Sequence, residues 1–137
     1  MGAVTQAIYD RLASDSVLAA MLAVYRGRPA IFTAPPPGDA PYPMIVTIGN
    51  VTDDPDDTKN SRGREVRRDI GCYTKATGSM ADLEAVAERV RQLFHRATLA
   101  VDGYRVWLCE ASGPVLGETD QTVYGLVVTV RLRMQEV

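Results

Sequence analysis

Histidine and cysteine, the side chains that most often do chemistry, are scarce in this chain of 137 residues. The single histidine, His95, falls on the polar side of a predicted helix, where no partner completes a nucleophile and base. Cys72 and Cys109 are flanked by apolar residues in predicted strands, which indicates buried free thiols in a reducing compartment. A redox pair stays open until the strand order is known. Because GxSxG, CxxC and phosphate-binding glycine motifs are also missing from the sequence, it predicts neither catalysis nor a cofactor.

Two clusters of opposite charge lie close together in the sequence. The acidic cluster consists of Asp53, Asp54, Asp56 and Asp57, and the basic cluster consists of Arg62, Arg64, Arg67 and Arg68. The carboxylates lack the spacing, central glycine and terminal glutamate of an EF-hand, so we expect a solvated acidic loop and no metal. Two interpretations of the basic cluster stay open. It is either a charged strand edge that deters aggregation, or the partner of the acidic loop of the next copy in an assembly.

Length, charge and hydropathy limit the class of protein. A chain of 137 residues is one ordinary domain, here residues 1–137, and it can bury a core without disulfides. The net charge of −2 argues against a protein that wraps nucleic acid. No apolar run reaches the roughly 18 residues of a membrane span, and no signal peptide is seen.

The elements that position these side chains are organised around an amphipathic helix at residues 79–99. Ser79 is its predicted N-cap and Asp82 the capping-box partner. Its apolar residues recur at helical spacing and predict one buried face, formed by Leu83, Val86, Ala87, Val90, Leu93, Phe94 and Ala97. We expect every strand to pack against this helix.

The first third of the chain predicts a second helical region and an extended connection. Residues 3–13 and 17–22 have helical periodicity, and Ser14 and Asp15 break and re-cap the helix between them. Five prolines between residues 30 and 43 exclude a helix or an interior strand. This connection is either a stiff spacer or an arm that lies on another molecule.

Four segments have the composition or alternation of strands. They are residues 44–51, 64–75, 104–111 and 122–134, and a polar loop at residues 52–63 separates the first two. Together with the helices, the order α-β-β-α-β-β predicts an α+β fold. We expect a two-layer sandwich, in which an antiparallel sheet of about four main strands has two helices on one face.

The outer face of this predicted sheet is more apolar than a solvated face needs to be. We assign to it Ile45, Tyr73, Trp107 and Val127. Because a tryptophan within such a set is typical of a subunit contact, the sequence predicts an oligomer.

The order of these features resembles a known family. A helix and a short D-x-x-L-A-A-type helix from Asp15 precede a proline-rich link into Pro41-Tyr42-Pro43 and a strand. A strand from Gly63-Arg64-Glu65, the amphipathic helix, an Asp-Gly hairpin and a strand ending in alternating arginine and leucine follow. This pattern, over nearly the entire chain, resembles the tail-completion or tail-terminator proteins of long-tailed, siphovirus-like bacteriophages and of gene transfer agents.

The resemblance implies a structural virion protein with no catalytic residues, no cofactor and no membrane partner. It implies a homo-oligomer, a hexameric ring at the head-proximal end of the tail, assembled in the cytoplasm of the host bacterium. Such a ring caps the tail tube, stops its polymerisation and joins the tail to the head connector. The implied partners are the tail tube protein and the head connector or stopper protein, and DNA passes through the lumen without sequence-specific binding. Our candidate interface residues are both charged clusters and Trp107.

Two alternatives to this interpretation stay open. One is a neck or head-completion protein, a head-tail adaptor of the same virion. The other is a small non-viral enzyme or binding domain, although the missing phosphate loop and the lack of paired catalytic groups count against it.

Overall fold

The described chain, residues 2–137 of a computed structural model, contains three helices and eight strands. The helices are α1 (Ala3–Ala13), α2 (Ser16–Met21) and α3 (Ala81–Phe94). The strands are β1 (Val24–Tyr25), β2 (Arg28–Pro29), β3 (Ile31–Phe32), β4 (Met44–Val46), β5 (Asn50–Pro55), β6 (Gly63–Lys75), β7 (Tyr104–Leu116) and β8 (Val123–Glu136).

The main sheet has six strands around a long antiparallel centre. Strand β8 lies between β6 and β7, and β4 and β5 both pair with the other side of β6. Strand β3 pairs with β4 in parallel, while β1 and β2 form a separate hairpin. The predicted α+β class is confirmed, but the sheet is mixed and larger than the four antiparallel strands expected. Strand β3, with two residues, is too short to produce a readable sequence period, and β5 runs largely through polar residues that were expected to form a loop.

Residues 44–51 do not form one strand, as the sequence predicted. Strand β4 ends with Val46 opposite Gly71, and β5 begins with Asn50 opposite Arg68. A bulge at residues 47–49 therefore separates two strands on the same edge of β6. The predicted loop is also shorter than expected, because β5 continues through Asp53 and Asp54 to Pro55.

The helices supply the apolar layer that was expected of them. On α3 the predicted residues from Leu83 to Phe94 are buried, and Ala97 is partly buried beyond the helix end. Asp15 caps α2 by accepting the Leu18 N–H at 2.9 Å, which confirms the predicted re-capping. The α3 cap differs from the prediction, because Met80 occupies the N-cap and the Ser79 hydroxyl accepts the Ala81 N–H at 3.2 Å.

Strand β8 alternates as predicted, but β7 does not. The inward residues of β8 are buried, namely Leu126, Val128, Val130, Leu132 and Met134. In β7 the register shifts between Val106 and Leu108, so Leu108 pairs with the outward Arg133 and Cys109 pairs with the buried Leu132. The alternation of residues 104–111 in the sequence predicts Leu108 on the face of Val106 and Cys109 on the face of Trp107. The bulge reverses both, because one extra residue moves every later side chain to the opposite face.

Candidate assembly surface

Most of the acidic cluster makes contacts within its own chain. Asp53 in β5 accepts two hydrogen bonds from Arg64, one of them from Nε at 2.9 Å. Asp56 accepts two from Arg133 at 2.9 and 3.0 Å, and Asp57 accepts the Gly63 N–H at 3.0 Å. The hydrogen bonds from the arginines hold the pKa of Asp53 and of Asp56 below the usual range. Three of the four carboxylates thus fasten β5 and the loop after it.

The basic cluster is divided between surface and interior. Arg62 and Arg67 are exposed, and Arg64 is held by Asp53 and by the hydroxyl of Tyr104, which accepts at 3.3 Å. Arg68, by contrast, is only 3% exposed. The sequence interpretation of Arg68 as part of a solvated or subunit-facing edge is therefore wrong, because its side chain shares the inward face with Val66 and Ile70.

Four of the candidate residues meet in one polar groove at the end of the sheet. It has a volume of about 330 Å³ and is lined by Asp53, Asp57, Arg62 and Arg64, together with Tyr104 and Glu136. The structure therefore brings the two clusters together, but it does so within a single chain.

The outer face of the sheet carries a series of polar side-chain contacts between neighbouring strands. Arg131 on β8 donates to Glu65 on β6 at 2.7 Å and lies 3.7 Å from Glu110 on β7. Further along, the Thr129 hydroxyl donates to Asp69 at 2.7 Å. Cross-strand pairs of this kind each contribute roughly 0.2–1 kcal/mol. They favour one register of the three long strands and neutralise charge across the face.

Trp107 projects from the β7 bulge onto this face. The Arg133 guanidinium lies 4.2 Å from the centre of its ring, while Asp56 holds the same guanidinium in place. The indole is nevertheless about half exposed, and it remains available to a partner surface.

The predicted apolar outer face is only partly present. Ile45 belongs to the buried core, so its assignment to the outer face is wrong. Tyr73 is half-buried and its ring covers Gly71 and Gly125, where an added Cβ would lie 2.7 and 2.8 Å from it. Val127 is also half-buried.

The two cysteine side chains are far from each other. Cys72 and Cys109 pair with β8 residues six positions apart, Leu126 and Leu132. That offset is about 20 Å along a strand, whereas a disulfide needs Cα atoms within about 7 Å. Burial raises the pKa of Cys72 to about 12 and that of Cys109 to about 11, so both thiols are unreactive.

His95 and the acidic groups do not assemble into a reactive site. The His95 side chain is exposed and its Nδ1 accepts the Ala111 N–H at 3.3 Å. Over residues 2–137, no three His, Cys, Asp or Glu side chains are grouped to hold a metal ion. No helix in the same range is long and apolar enough to cross a membrane.

Sequence reasoning missed the residues on the two sheet edges. Ile48 between β4 and β5 and Val51 in β5 are exposed, and so are Val115 and Leu116 at the end of β7. All four are residue types that strands accommodate, so the sequence pattern does not mark them as exposed. Only the bulges and the strand order reveal that these apolar side chains are exposed to solvent.

The same fold occurs in a chain of a solved virion particle. A chain of the solved structure "Virion of native gene transfer agent (GTA) particle" superimposes with a TM-score of 0.81 at 20% identity, covering 96% of this chain and 94% of that one. The comparison with curated protein sequences gave no match.

The sequence profile of the family described as tail completion protein gp17 matches residues 6–135. The chain therefore belongs to that family, and the resemblance noted from the sequence is confirmed. It is a structural virion protein of the tail and not an enzyme.

Proposed function

We propose that this chain is the tail terminator of a long-tailed phage or gene transfer agent. One domain, residues 1–137, assembles with its copies into a hexameric ring at the head-proximal end of the tail. The ring caps the tube, ends its polymerisation and joins the tail to the head connector. The observation that carries this proposal is the family match, because it covers residues 6–135 of 137 and thus almost the entire chain.

The charges left after intrachain pairing support a contact between copies. Asp54, Arg62 and Arg67 are exposed, and none has an ion-pair partner among residues 2–137. In a ring each copy offers one surface and receives another, so charges that stay unpaired within one chain can pair with charges of the neighbouring copies. Exposed pairs contribute only about 0–1 kcal/mol each, so they set the register while apolar burial supplies the affinity.

The remaining interface candidates have two different roles in this proposal. Trp107 is a direct contact, because a half-exposed tryptophan is typical of interface hot spots. Asp53, Asp56, Asp57 and Arg64 act indirectly, since they hold β5 and the loop that present Asp54 and Arg62.

The lumen of the ring passes DNA without reading its sequence. A net charge of −2 supports this part of the proposal, because a protein that grips the phosphate backbone needs a basic excess. The faces of the ring meet the tail tube protein on one side and the head connector on the other.

Tail assembly with and without the protein tests the proposal. We expect tubes assembled without it to grow beyond their normal length and to stay unattached to heads, and added protein to restore both. Electron microscopy of negatively stained particles gives tube lengths and the fraction joined to heads. Normal tube length without the protein, together with unjoined heads, would instead identify a neck or head-completion component.

A further inference from the structure

A groove runs between helix α3 and the end of strand β7, and we call it the α3–β7 groove. Its volume is about 500 Å³. The residues that line it are Ala81, Glu84, Ala85, Glu88, Pro114 and Leu126. The lining is therefore apolar except for two glutamates, and both of them come from α3.

The acidic wall of this groove keeps an unpaired charge. Glu88 lies 3.6 Å from Arg91, but Glu84 is exposed and has no ion-pair partner among residues 2–137. The opposite wall continues with Leu116, which is 70% exposed and pairs with Leu126 across the sheet. Complementary charge and apolar contact both favour an occupant that presents a cation beside an apolar side chain.

The β1–β2 hairpin has this composition. Val24 is 68% exposed, and Arg26 and Arg28 are exposed as well. Arg28 has no ion-pair partner in the described chain. The carboxylate of Asp39, in the segment that follows, accepts the Tyr25 hydroxyl at 3.1 Å. The charges of the hairpin itself are therefore both basic.

The hairpin is held in one shape by its own side chains. Arg26 and Gly27 have φ angles of +50° and +79°, as a two-residue turn of type I′ requires. The Arg26 guanidinium lies 5.2 Å from the centre of the Tyr25 ring, and that ring packs edge-on against Phe32 at 5.4 Å. A segment that is already ordered loses little conformational entropy when it docks.

The hairpin and the groove lie on opposite edges of the sheet and at the same level. The hairpin directly precedes β3, the outermost strand on one side, and β7 is outermost on the other. A single line of strand pairs crosses the sheet between them, through Ile31, Ile45, Cys72, Leu126 and Leu116. Four strand spacings separate its ends, about 19 Å, so the hairpin does not reach the groove of its own chain. A shift of one copy across the strands, with a rotation, brings its hairpin to the groove of the next copy.

We infer that the β1–β2 hairpin of one copy docks in the α3–β7 groove of the next. Val24 pairs with Pro29 and Tyr25 pairs with Arg28, so Val24 and Arg28 project from opposite faces of the hairpin. Arg28 then meets Glu84 on the α3 wall, while Val24 packs on the β7 wall. The contact is heterologous, and repeating it closes a ring when the rotation is right. This inference rests on the proposed ring and adds a contact to it.

A charge swap tests the contact. Arg28→Glu and Glu84→Arg each place like charges at it, so we expect each to raise the concentration for half-assembly on tail tubes about tenfold. The double variant restores an opposite pair at every contact and should assemble within about threefold of wild type. Circular dichroism spectra establish that each variant is folded. Single variants that assemble like wild type, or a double variant no better than the single ones, would overturn the inference.

Matched controls separate pairing from net charge. Arg28→Glu with Glu136→Arg has the same net charge as the swap, but Glu136 ends β8 far from Leu126 and should not restore assembly. Val24→Asp brings a carboxylate to the acidic groove and should weaken assembly, whereas Val17→Asp, at an exposed position of α2, should not. The valine variants also test the contact if Glu84→Arg does not fold. Restoration by Glu136→Arg, or equal assembly of the two valine variants, would contradict the contact.

The mass of the wild-type protein, alone and on tails, distinguishes the two proposals. A closed oligomer whose assembly survives both single charge reversals would overturn the docked hairpin and leave the ring proposal standing. The absence of a closed oligomer both in solution and on tails would overturn the ring and, with it, this inference. A closed oligomer that the single variants disrupt and the charge swap restores supports both.

Discussion

Arg68 carries its charge into the interior of the protein without a carboxylate partner among residues 2–137. Its Nε donates to the Asn50 side-chain oxygen at 3.1 Å, while its buried Nη1 has no hydrogen-bond partner in the described chain. Burial lowers the pKa of the guanidinium. A buried charge costs several kcal/mol of desolvation, and one neutral acceptor offsets only part of that cost.

We therefore expect Arg68→Met to leave the free energy of unfolding unchanged or to raise it. Replacing buried charges by apolar side chains of similar volume is often neutral or stabilising by about 1–4 kcal/mol. Urea unfolding measures the change, and the exposed Arg62→Met, expected within about 0.5 kcal/mol of wild type, is the control. A loss above about 2 kcal/mol for Arg68→Met would show that the buried guanidinium is net stabilising.

At the scale of elements, Asp15 links two helices. Besides capping α2, its carboxylate accepts hydrogen bonds from Arg89 of α3 at 2.7 and 2.9 Å. The hydrogen bond from Arg89 holds the pKa of Asp15 below its ordinary value of 3.8. A depressed carboxylate pKa contributes stability that is fully present above the unfolded pKa and is lost as the pH falls through the folded one.

Two substitutions separate the cap from the ion pair. Asp15→Ala removes both, and caps of this kind contribute about 0.5–2 kcal/mol. Asp15→Asn keeps an acceptor for the Leu18 N–H but removes the charge. We expect the Asn variant to be less stable than wild type at pH 7 and to approach it as the pH falls below 3.8. Thermal unfolding over pH 2–7 gives the comparison, and a constant difference would show that the charge is not involved.

Helix α3 supplies a large part of the core. Its apolar residues join those of α1, β6 and β8 in one buried cluster, and Leu93 is among them. Leu93→Ala should lower the free energy of unfolding by about 2–5 kcal/mol, through lost burial and the cavity left behind. Gln92→Ala, at the next and exposed position, should change it by less than about 0.5 kcal/mol. A loss for Leu93→Ala as small as that of its control would mean that this helix face is not buried.

At the scale of the whole molecule, the pairing of its charges determines which surfaces can join copies. The outer face of the sheet is largely neutralised by contacts between its own strands, such as Glu65 with Arg131 and Asp56 with Arg133. Charge reversal at Arg64 would mainly break its contact with Asp53 and loosen β5. A test of contact between copies therefore needs basic residues that are exposed and unpaired.

Arg62→Glu with Arg67→Glu is that test. We expect the fold to persist in circular dichroism spectra and the concentration for half-assembly on tubes to rise about tenfold, the effect of ~1.4 kcal/mol. The effect should shrink with added salt, because exposed charges are screened. Lys75→Glu with Arg105→Glu makes the same charge change at other exposed positions and should assemble normally. Unchanged assembly of the Arg62 and Arg67 variant would show that these arginines are solvated and do not contact a neighbouring copy.

The periodic elements and the family were predictable from the sequence alone. Leu83 to Phe94 on α3 and Leu126 to Met134 on β8 lie where their spacing predicted, because a buried face must repeat with the period of its element. The order of the elements was enough to indicate the tail-completion family, which the profile match confirms. Each of these inferences needs only local periodicity and chain order.

Only the tertiary structure decided what each side chain faces. The bulge at Trp107 reversed the facing of Leu108 and Cys109, and pairing with β6 drew Asp53 and Asp54 into a strand. Arg68 became buried because it continues the inward face of β6, although its side chain is charged. Bulges, edge pairing and ion pairs depend on residues up to 77 positions apart, as in the Arg133 contact with Asp56, and no local pattern records such partners.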